Sequence, residues 1–242
     1  MIELQRSQLV FSFPEVHPQA RLAVEFQRTL RIPDDGRSYP LPPGLGRFPL
    51  RHVDDHASAV PPPWREHGGV LLPMYQSEAL WVRFASTYLP AHVTSYPFAV
   101  KVAAGKVNAA TGGPWAEGLG RQPQDYVVAP VQPWLDGYCV EKGFVRQFVA
   151  MPLGPGYTAE EQLTGSAEHG GLQLVVHPMR REAFERRFPR RSLPRLRRHF
   201  SLGKACRALP GAAGAEMGLA PGGKMRQEVY ADSFDADDWD LG

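Results

Sequence analysis

Cysteine is scarce in this chain, with only Cys139 and Cys206 among 242 residues. Two cysteines cannot build a disulfide scaffold, and the lack of a C-x-x-C pair removes the usual zinc and redox motifs. Residues 1–13 contain no long apolar run followed by a small-residue cleavage pattern, so no signal peptide is predicted. No apolar run approaches the ~20 residues that a membrane-spanning helix needs. These absences predict a soluble, cytoplasmic protein without a transmembrane segment.

Net charge is small too, at +2, so the charge of the whole molecule does not select a class of partner. Glycine and proline are abundant instead, with 24 residues of each. They follow no collagen-like period, and such frequent turn formers favour many short strands over long helices. Hydrophobic residues make up 43% of the chain, which suffices for a sizeable core. The composition predicts a β-rich α+β fold with antiparallel, sandwich-like sheets, two short helices and many Gly/Pro-rich loops.

Alternation of apolar and polar residues predicts the strands. It is clearest between Leu22 and Ile32, where apolar side chains fall on even positions. Two hairpins are expected, one turned at Gly105 and the other at Lys142-Gly143. The predicted strands lie at about 22–32, 47–53, 70–74, 79–85, 97–103, 106–110, 138–141, 144–151, 172–177 and 225–230.

Helix signals are few. The segment Thr158–Glu161 reads T-A-E-E, the pattern of a capping box, which predicts a short helix that begins there. Phe184 and Phe188 are spaced four apart, which places both rings on one face of a second helix over residues 180–188.

The whole chain, residues 1–242, is expected to form one domain with a basic, variable insertion at about 180–215. Residues 180–207 hold ten arginines and one lysine against two glutamates. Prolines in this run break any long helix and favour a solvated loop. An acidic tail at about 228–242 is expected to neutralise the run within the chain or between subunits. The candidate anion or nucleic-acid contacts are Arg186, Arg187, Arg190, Arg191, Arg197 and Arg198.

Two short motifs are present in incomplete form. Residues 218–224 read G-L-A-P-G-G-K, close to a nucleotide-binding P-loop, but Met225 replaces the magnesium-binding hydroxyl and a strand-like segment follows. His52, Asp54 and His56 would converge on a metal if they shared one strand face. The favoured interpretation is instead an exposed polar strand end before a Pro-rich loop. We therefore predict no metal and no cofactor.

The most informative segment for a binding site is 124–171, where polar and aromatic residues are interspersed with Gly and Pro. Such loops hold fixed shapes on a rigid sheet, and functional residues often lie on them. Alternation along the preceding strand turns Lys101 away from the buried residues Phe98, Val100 and Val102. We predict a ligand-binding groove next to this segment. The residues assigned to it are Trp81, Lys101, Lys106, Asn108, Trp134, Asp136, Arg146 and Gln147.

These features favour a binding or assembly protein of unknown ligand, which uses a polar-aromatic loop surface and self-associates. A small-molecule ligand is compatible with the same surface. Two other classes stay open: a nucleic-acid-binding accessory protein acting through 180–207, and a hydrolase-type enzyme with paired carboxylates. No catalytic residue is assigned, because no motif names a reaction. The carboxylates that would serve a hydrolase are Asp136, Glu141, Glu160, Glu161 and Glu168.

Overall fold

The computed structural model describes residues 1–191 and 217–242. The first strands are β1 (Ile2–Gln5), β2 (Gln8–Ser12), β3 (Arg21–Thr29), β4 (Ser38–Tyr39), β5 (Gly44–Arg47), β6 (Arg51–His52), β7 (Val70–Leu71), β8 (Ala79–Ser86), β9 (Tyr88–Leu89) and β10 (Thr94–Ser95). The remaining strands are β11 (Phe98–Ala104), β12 (Val107–Asn108), β13 (Val127–Ala129), β14 (Trp134–Leu135), β15 (Gly137–Glu141), β16 (Phe144–Pro152), β17 (Leu172–Pro178) and β18 (Met217–Arg226). The helices are α1 (Pro62–His67), α2 (Ala159–Thr164) and α3 (Arg181–Arg187), with 3-10 turns at Asp54–His56 and Ala236–Asp238.

Strand accounts for 42% of the residues and helix for 11%, which confirms the predicted β-rich α+β fold. Ten strands form one large sheet in the order β1-β2-β3-β8-β16-β18-β4, with β5 beside β3, β14 beside β8 and β15 beside β16. Neighbouring strands are antiparallel, except for β18 and β4, which run parallel. Two short ribbons, β6-β7 and β9-β10, lie outside it.

A smaller sheet is built around β11, which pairs with β17 along one side and with β12 and β13 along the other. All seven residues of β11 are buried, so this strand is covered on both faces. The main core contains even-numbered residues of both sheets, because alternate side chains of a strand point to the same face. Its members include Leu22, Val24, Phe26, Leu80, Val82, Phe84, Phe98, Val100 and Val102.

The locally encoded elements agree with the sequence predictions. The hairpin between β11 and β12 turns at Gly105 and Lys106, whose φ angles are 57° and 59°. Both values are left-handed, as a type I′ turn requires. At α2, the Thr158 hydroxyl accepts from the Glu161 backbone N–H, and the Glu161 carboxylate accepts from the Thr158 N–H, so the capping box is complete.

Other predictions were wrong. Helix α1 and the N-terminal hairpin β1-β2 were not predicted, and the strand expected at 47–53 is divided between β5 and β6. The strand expected at 225–230 instead begins at Met217 and ends at Arg226. A Cβ on its Gly223 would lie 2.2 Å from the Pro33 carbonyl oxygen. Only glycine therefore allows the segment that contains Pro33 to cross β18 at this point. The strands on either side of the predicted insertion do not pair, because β17 joins the small sheet and β18 the large one.

The incomplete motifs do not have the geometry of their families. Residues 218–224 lie within β18, whereas a P-loop must turn into a helix N-terminus. His52 lies in β6, while Asp54 and His56 lie in a 3-10 turn, so the three do not share a strand face. Within the described ranges, no group of three His, Cys, Asp or Glu side chains could hold a metal.

Helix α3 is part of the core rather than of a solvated loop. Its Phe184 side chain is fully buried, and the ring lies 4.5 Å from that of Tyr96. On the other side Phe184 contacts Phe188, which meets Phe234 in the C-terminal segment. Phe234 in turn packs edge-on against the buried Trp239. This chain of aromatic contacts fixes both α3 and the C-terminal segment to the domain. None of the helices in the described residues is long and apolar enough to cross a membrane.

Candidate binding surface on the large sheet

The eight residues predicted to line one groove occupy several places, of which the most buried surrounds Lys101. This side chain is 1% exposed, and its ammonium pairs with Asp125 at 2.8 Å. Two further bonds, each of 2.6 Å, reach the carbonyl oxygens of Ala116 and Gly118. An ammonium has three donors, so all of them are satisfied within the protein. Lys101 therefore holds the loop that covers β11.

Asn108 belongs to the same cluster. Its side-chain amide donates to the Asp125 carbonyl oxygen at 2.8 Å, and its oxygen accepts from the backbone N–H groups of Ala110 and Thr111. Lys106 lies at the hairpin tip, with Nζ 5.4 Å from the centre of the Trp115 ring. We call Lys101, Asn108, Trp115 and Asp125 the Lys101 cluster. The polar groups of this cluster bond to one another and to the nearby backbone. Among the described residues, each of its buried side-chain polar atoms has a hydrogen-bond partner.

Asp136 is buried at the junction of β14 and β15, where it is 2% exposed. Burial raises the pKa of its carboxyl group to about 7, against a smaller lowering by the Gln227 amide, which donates to Oδ2 at 2.8 Å. The same Gln227 amide also reaches the Trp134 carbonyl oxygen at 3.4 Å. Asp136 and Trp134 are thus neighbours, although only Trp134 reaches solvent.

Arg146 and Gln147 lie apart from that group, on β16. Arg146 pairs with Asp34 at 3.2 Å and is about one-third exposed at its side chain, 38%. Gln147 is fully buried and bonds to the backbone of the segment that follows β3: Nε2 donates to Leu30 and Oε1 accepts from Ile32. Both side chains therefore anchor residues 30–34, the segment that crosses the large sheet after β3.

The two remaining predicted residues, Trp81 and Trp134, come together on the outer face of the large sheet. Their ring centres are 6.3 Å apart in an edge-to-face arrangement. Trp134 pairs across the strands with Arg83, and Arg83 pairs with Glu25, so all three side chains leave the sheet on the same face. Trp134 is 41% exposed, which is unusual for so large an apolar side chain next to a well-formed core.

A buried carboxylate organises this face. Glu25 is 5% exposed and lies between two guanidinium groups, with Arg83 at 3.5 Å and Arg47 at 3.6 Å. It also accepts hydrogen bonds from the side-chain amides of Gln8 and Gln27. The arginines themselves remain partly exposed. We call Glu25, Gln27, Arg47, Trp81, Arg83 and Trp134 the tryptophan face.

Sequence reasoning missed Glu25, Arg47 and Arg83. The alternation within β3 places Glu25 on the polar face, but no local signal shows that Arg83 lies opposite to it. One further feature is unusual: Trp81 Nε1 is buried and has no hydrogen-bond partner among the described residues. A buried, unsatisfied donor costs about 1–3 kcal/mol, so this indole is held there by its packing. A Cβ on Gly44 would lie 3.0 Å from the ring, so glycine at this position lets β5 cover the indole without displacing it.

Besides Asp136, three of the five carboxylates considered for a hydrolase are engaged in hydrogen bonds or ion pairs. Glu160 accepts from the backbone N–H groups of residues 168, 169 and 170, which fixes the loop before β17. Glu161 accepts from the Thr158 hydroxyl and from the backbone N–H groups of residues 156, 158 and 154, and these bonds lower the pKa of its carboxyl group to about 2. Glu141 pairs with Lys224. The bonds of Glu160, Glu161 and Glu141 therefore stabilise loops and strand ends.

Part of the basic run is neutralised within the chain. Arg186 and Arg187 both pair with the buried Asp238, and Arg187 also pairs with Asp235. Arg190 lines a cleft on the other side of α3, and the Arg191 N–H donates to Ala91. Arg197 and Arg198 lie outside the described residues.

No protein-family model, curated protein or solved structure matches the chain.

Proposed function

We propose that this is a soluble, cytoplasmic binding protein that assembles with a second copy of itself through the tryptophan face. The observation that carries the proposal is the exposure of Trp134 beside Trp81 and two arginines on a sheet face. Tryptophan and arginine are the residues most enriched at interface hot spots. Single exposed apolar residues are common, whereas an aromatic pair flanked by guanidinium groups has the composition of an interface centre.

The chemistry of this face supports a second copy as the partner. It offers both aromatic rings and guanidinium groups, and a guanidinium stacks favourably on a tryptophan ring. A two-fold axis through the face would bring Arg83 of each copy toward Trp134 of the other, since such an interface uses the same residues twice. The proposed interface is therefore self-complementary without any second kind of surface.

Pre-organisation is a further argument. Glu25 holds Arg47 and Arg83 from below, so their guanidinium groups are partly ordered before any partner arrives. Ordering a long side chain on association costs about 0.5–1.5 kcal/mol. For Arg47 and Arg83, part of this ordering has already taken place when the protein folds. The buried Glu25 carboxylate thus orders the side chains of Arg47 and Arg83 before a partner binds.

Sedimentation velocity over a range of protein concentrations tests the proposal. We expect the wild type to form dimers as concentration rises, and Trp134→Ala or Arg83→Glu to weaken the dimer by about 30-fold or more, the loss typical of a hot spot. Tyr88→Ala is the matched control, because Tyr88 is an aromatic residue of the β9-β10 ribbon, outside the large sheet, and is 56% exposed. A wild type that stays monomeric, or a Trp134→Ala variant that dimerises as the wild type does, would overturn the proposal.

A further inference from the structure

A cleft of about 420 Å³ lies between α3 and two loops of the main domain. Its lining contains His17, which precedes β3, and His92, which precedes β10. The lining also contains two arginines, Arg181 at the start of α3 and Arg190 beyond its end. The cleft is separate from the tryptophan face and uses none of its residues.

The two imidazoles are fixed against the same buried ring. The ring centre of Phe184 lies 5.5 Å from that of His17 and 4.9 Å from that of His92. Each histidine is 8% exposed. Tyr96 packs on His17 at 5.0 Å and donates its hydroxyl to the Met179 carbonyl oxygen, so it offers the cleft no further hydrogen.

Hydrogen bonds assign a different tautomer to each neutral histidine. Nδ1 of His17 accepts from the Gln19 backbone N–H at 3.1 Å, so its hydrogen resides on Nε2. Nδ1 of His92 contacts the Phe188 carbonyl oxygen, which can only accept, so the hydrogen of this ring resides on Nδ1. His17 is therefore an N–H donor at neutral pH, whereas His92 gains a second donor only when Nε2 is protonated.

The charges around the cleft are predominantly positive. Arg181 pairs with Glu185 at 3.0 Å, and the Glu185 carboxylate opposes the positive groups that act on His17. Burial lowers the pKa of His17, and Arg181, His92 and Arg190 lower it further, while Glu185 opposes them. A bound anion would relieve this repulsion and favour protonation of His17.

We propose that this cleft binds the phosphate group of a small phosphate monoester. Two guanidinium groups, of which Arg181 also pairs with Glu185, and the N–H of His17 supply donors for a doubly charged oxyanion, and guanidinium forks match phosphate geometry. The apolar residues Pro18, Leu89, Pro90 and Ala91 line the rest of the cleft and suit the organic part of such an ester. The inference does not depend on self-association.

The first test follows the histidine Cε1–H signals by NMR during pH titrations with and without inorganic phosphate, at constant ionic strength. We expect phosphate to raise the titration midpoint of His17, because a bound anion stabilises its imidazolium form, and to shift the Cε1–H signal of His92. His52 and His56, which are exposed, serve as internal controls and should not move. Phenyl phosphate should bind more tightly than phosphate alone, because its ring adds apolar contact.

Arg190→Gln provides the second test, since Arg190 is exposed and its loss should not affect folding. It should weaken phosphate binding by about tenfold or more, the loss expected for one charge-assisted contact. Arg31→Gln is the matched control, an exposed arginine beside Gln147, and should leave binding unchanged. The proposal would be overturned if the titration midpoint of His17 did not move with phosphate, or if both variants lost phosphate affinity equally. A response to an oligonucleotide but not to phosphate would also overturn it.

Discussion

The Lys101 cluster and the tryptophan face combine the same ingredients, a tryptophan, a carboxylate and long cationic side chains, in opposite ways. In the Lys101 cluster every ammonium hydrogen has an acceptor, and the side chain is 1% exposed. On the tryptophan face Arg83 has five N–H donors but, within the part of the chain that the structure describes, makes one side-chain hydrogen bond, to Glu25 at 3.5 Å, and half of its side chain is exposed, 51%. The difference shows that residue type alone does not define a site. What matters is whether hydrogen-bonding capacity remains for a partner.

The largest effect is expected where the buried pair is broken. Lys101→Met would leave Asp125 buried without its counter-ion, which typically costs about 3–5 kcal/mol of folding free energy. Urea denaturation would measure this loss. Lys106→Met is the control, because Lys106 contacts the same Trp115 ring from the exposed hairpin tip and should change stability little. If Lys101→Met were as stable as the control, the Lys101 cluster would not be structural.

Asp136, which shares the Gln227 amide with the Trp134 carbonyl oxygen, should make stability depend on pH. Its folded pKa of about 7 is above the ordinary value of 3.8, so the folded state keeps a proton that the unfolded chain releases. Stability is therefore greatest below about pH 4 for this group and falls as the pH rises toward about 7, by at most about 4 kcal/mol. Asp136→Asn cannot ionise and should lack this component. Urea denaturation of both proteins at several pH values measures it. Parallel pH profiles would contradict the buried, proton-binding carboxyl.

Glu25→Gln separates the support of the tryptophan face from the face itself. The amide cannot accept from all the groups that the carboxylate serves, so we expect a loss of about 1–3 kcal/mol in folding free energy and weaker self-association. Glu15→Gln, at an exposed position, is the control and should change neither. Self-association that survives Glu25→Gln undiminished would show that Arg47 and Arg83 do not need their shared anchor.

The smallest effect is expected for Trp81→Phe. This change removes a buried donor that has no partner among the described residues, and that gain offsets part of the packing lost with the smaller ring. We expect a change in folding free energy within about 1 kcal/mol in thermal or urea denaturation. In contrast, Trp239→Phe breaks a 3.0 Å bond from Nε1 to Asp232 and should be clearly more destabilising. Equal losses would mean that the Trp81 indole has a partner after all.

The elements that sequence reasoning located are those encoded by neighbouring residues. A left-handed turn at Gly105 and a capping box at Thr158 depend on a few adjacent side chains, so the hairpin and α2 were predictable. The path of β18 depends instead on a distant segment that crosses it at Gly223, and a Pro-Gly-Gly sequence alone resembles a loop.

The candidate site was predictable only in part, for the same reason. Trp81 and Trp134 were assigned to one surface and do meet, whereas Glu25 and Arg83 join them through pairing between strands that are far apart in sequence. Lys101 was correctly turned away from the core residues of β11. Its burial could not be foreseen, because the loop that covers it comes from residues 113–125.

Amide hydrogen exchange at low and high protein concentration tests the contrast between the two regions most directly. If the tryptophan face is the contact between copies, exchange in β5, β14 and the middle of β8, around Trp81 and Arg83, should slow as concentration rises. Exchange across residues 101–125 should stay the same, because the Lys101 cluster is saturated within one chain. Unchanged exchange in β5 and β14, or slowing confined to other elements, would contradict the account.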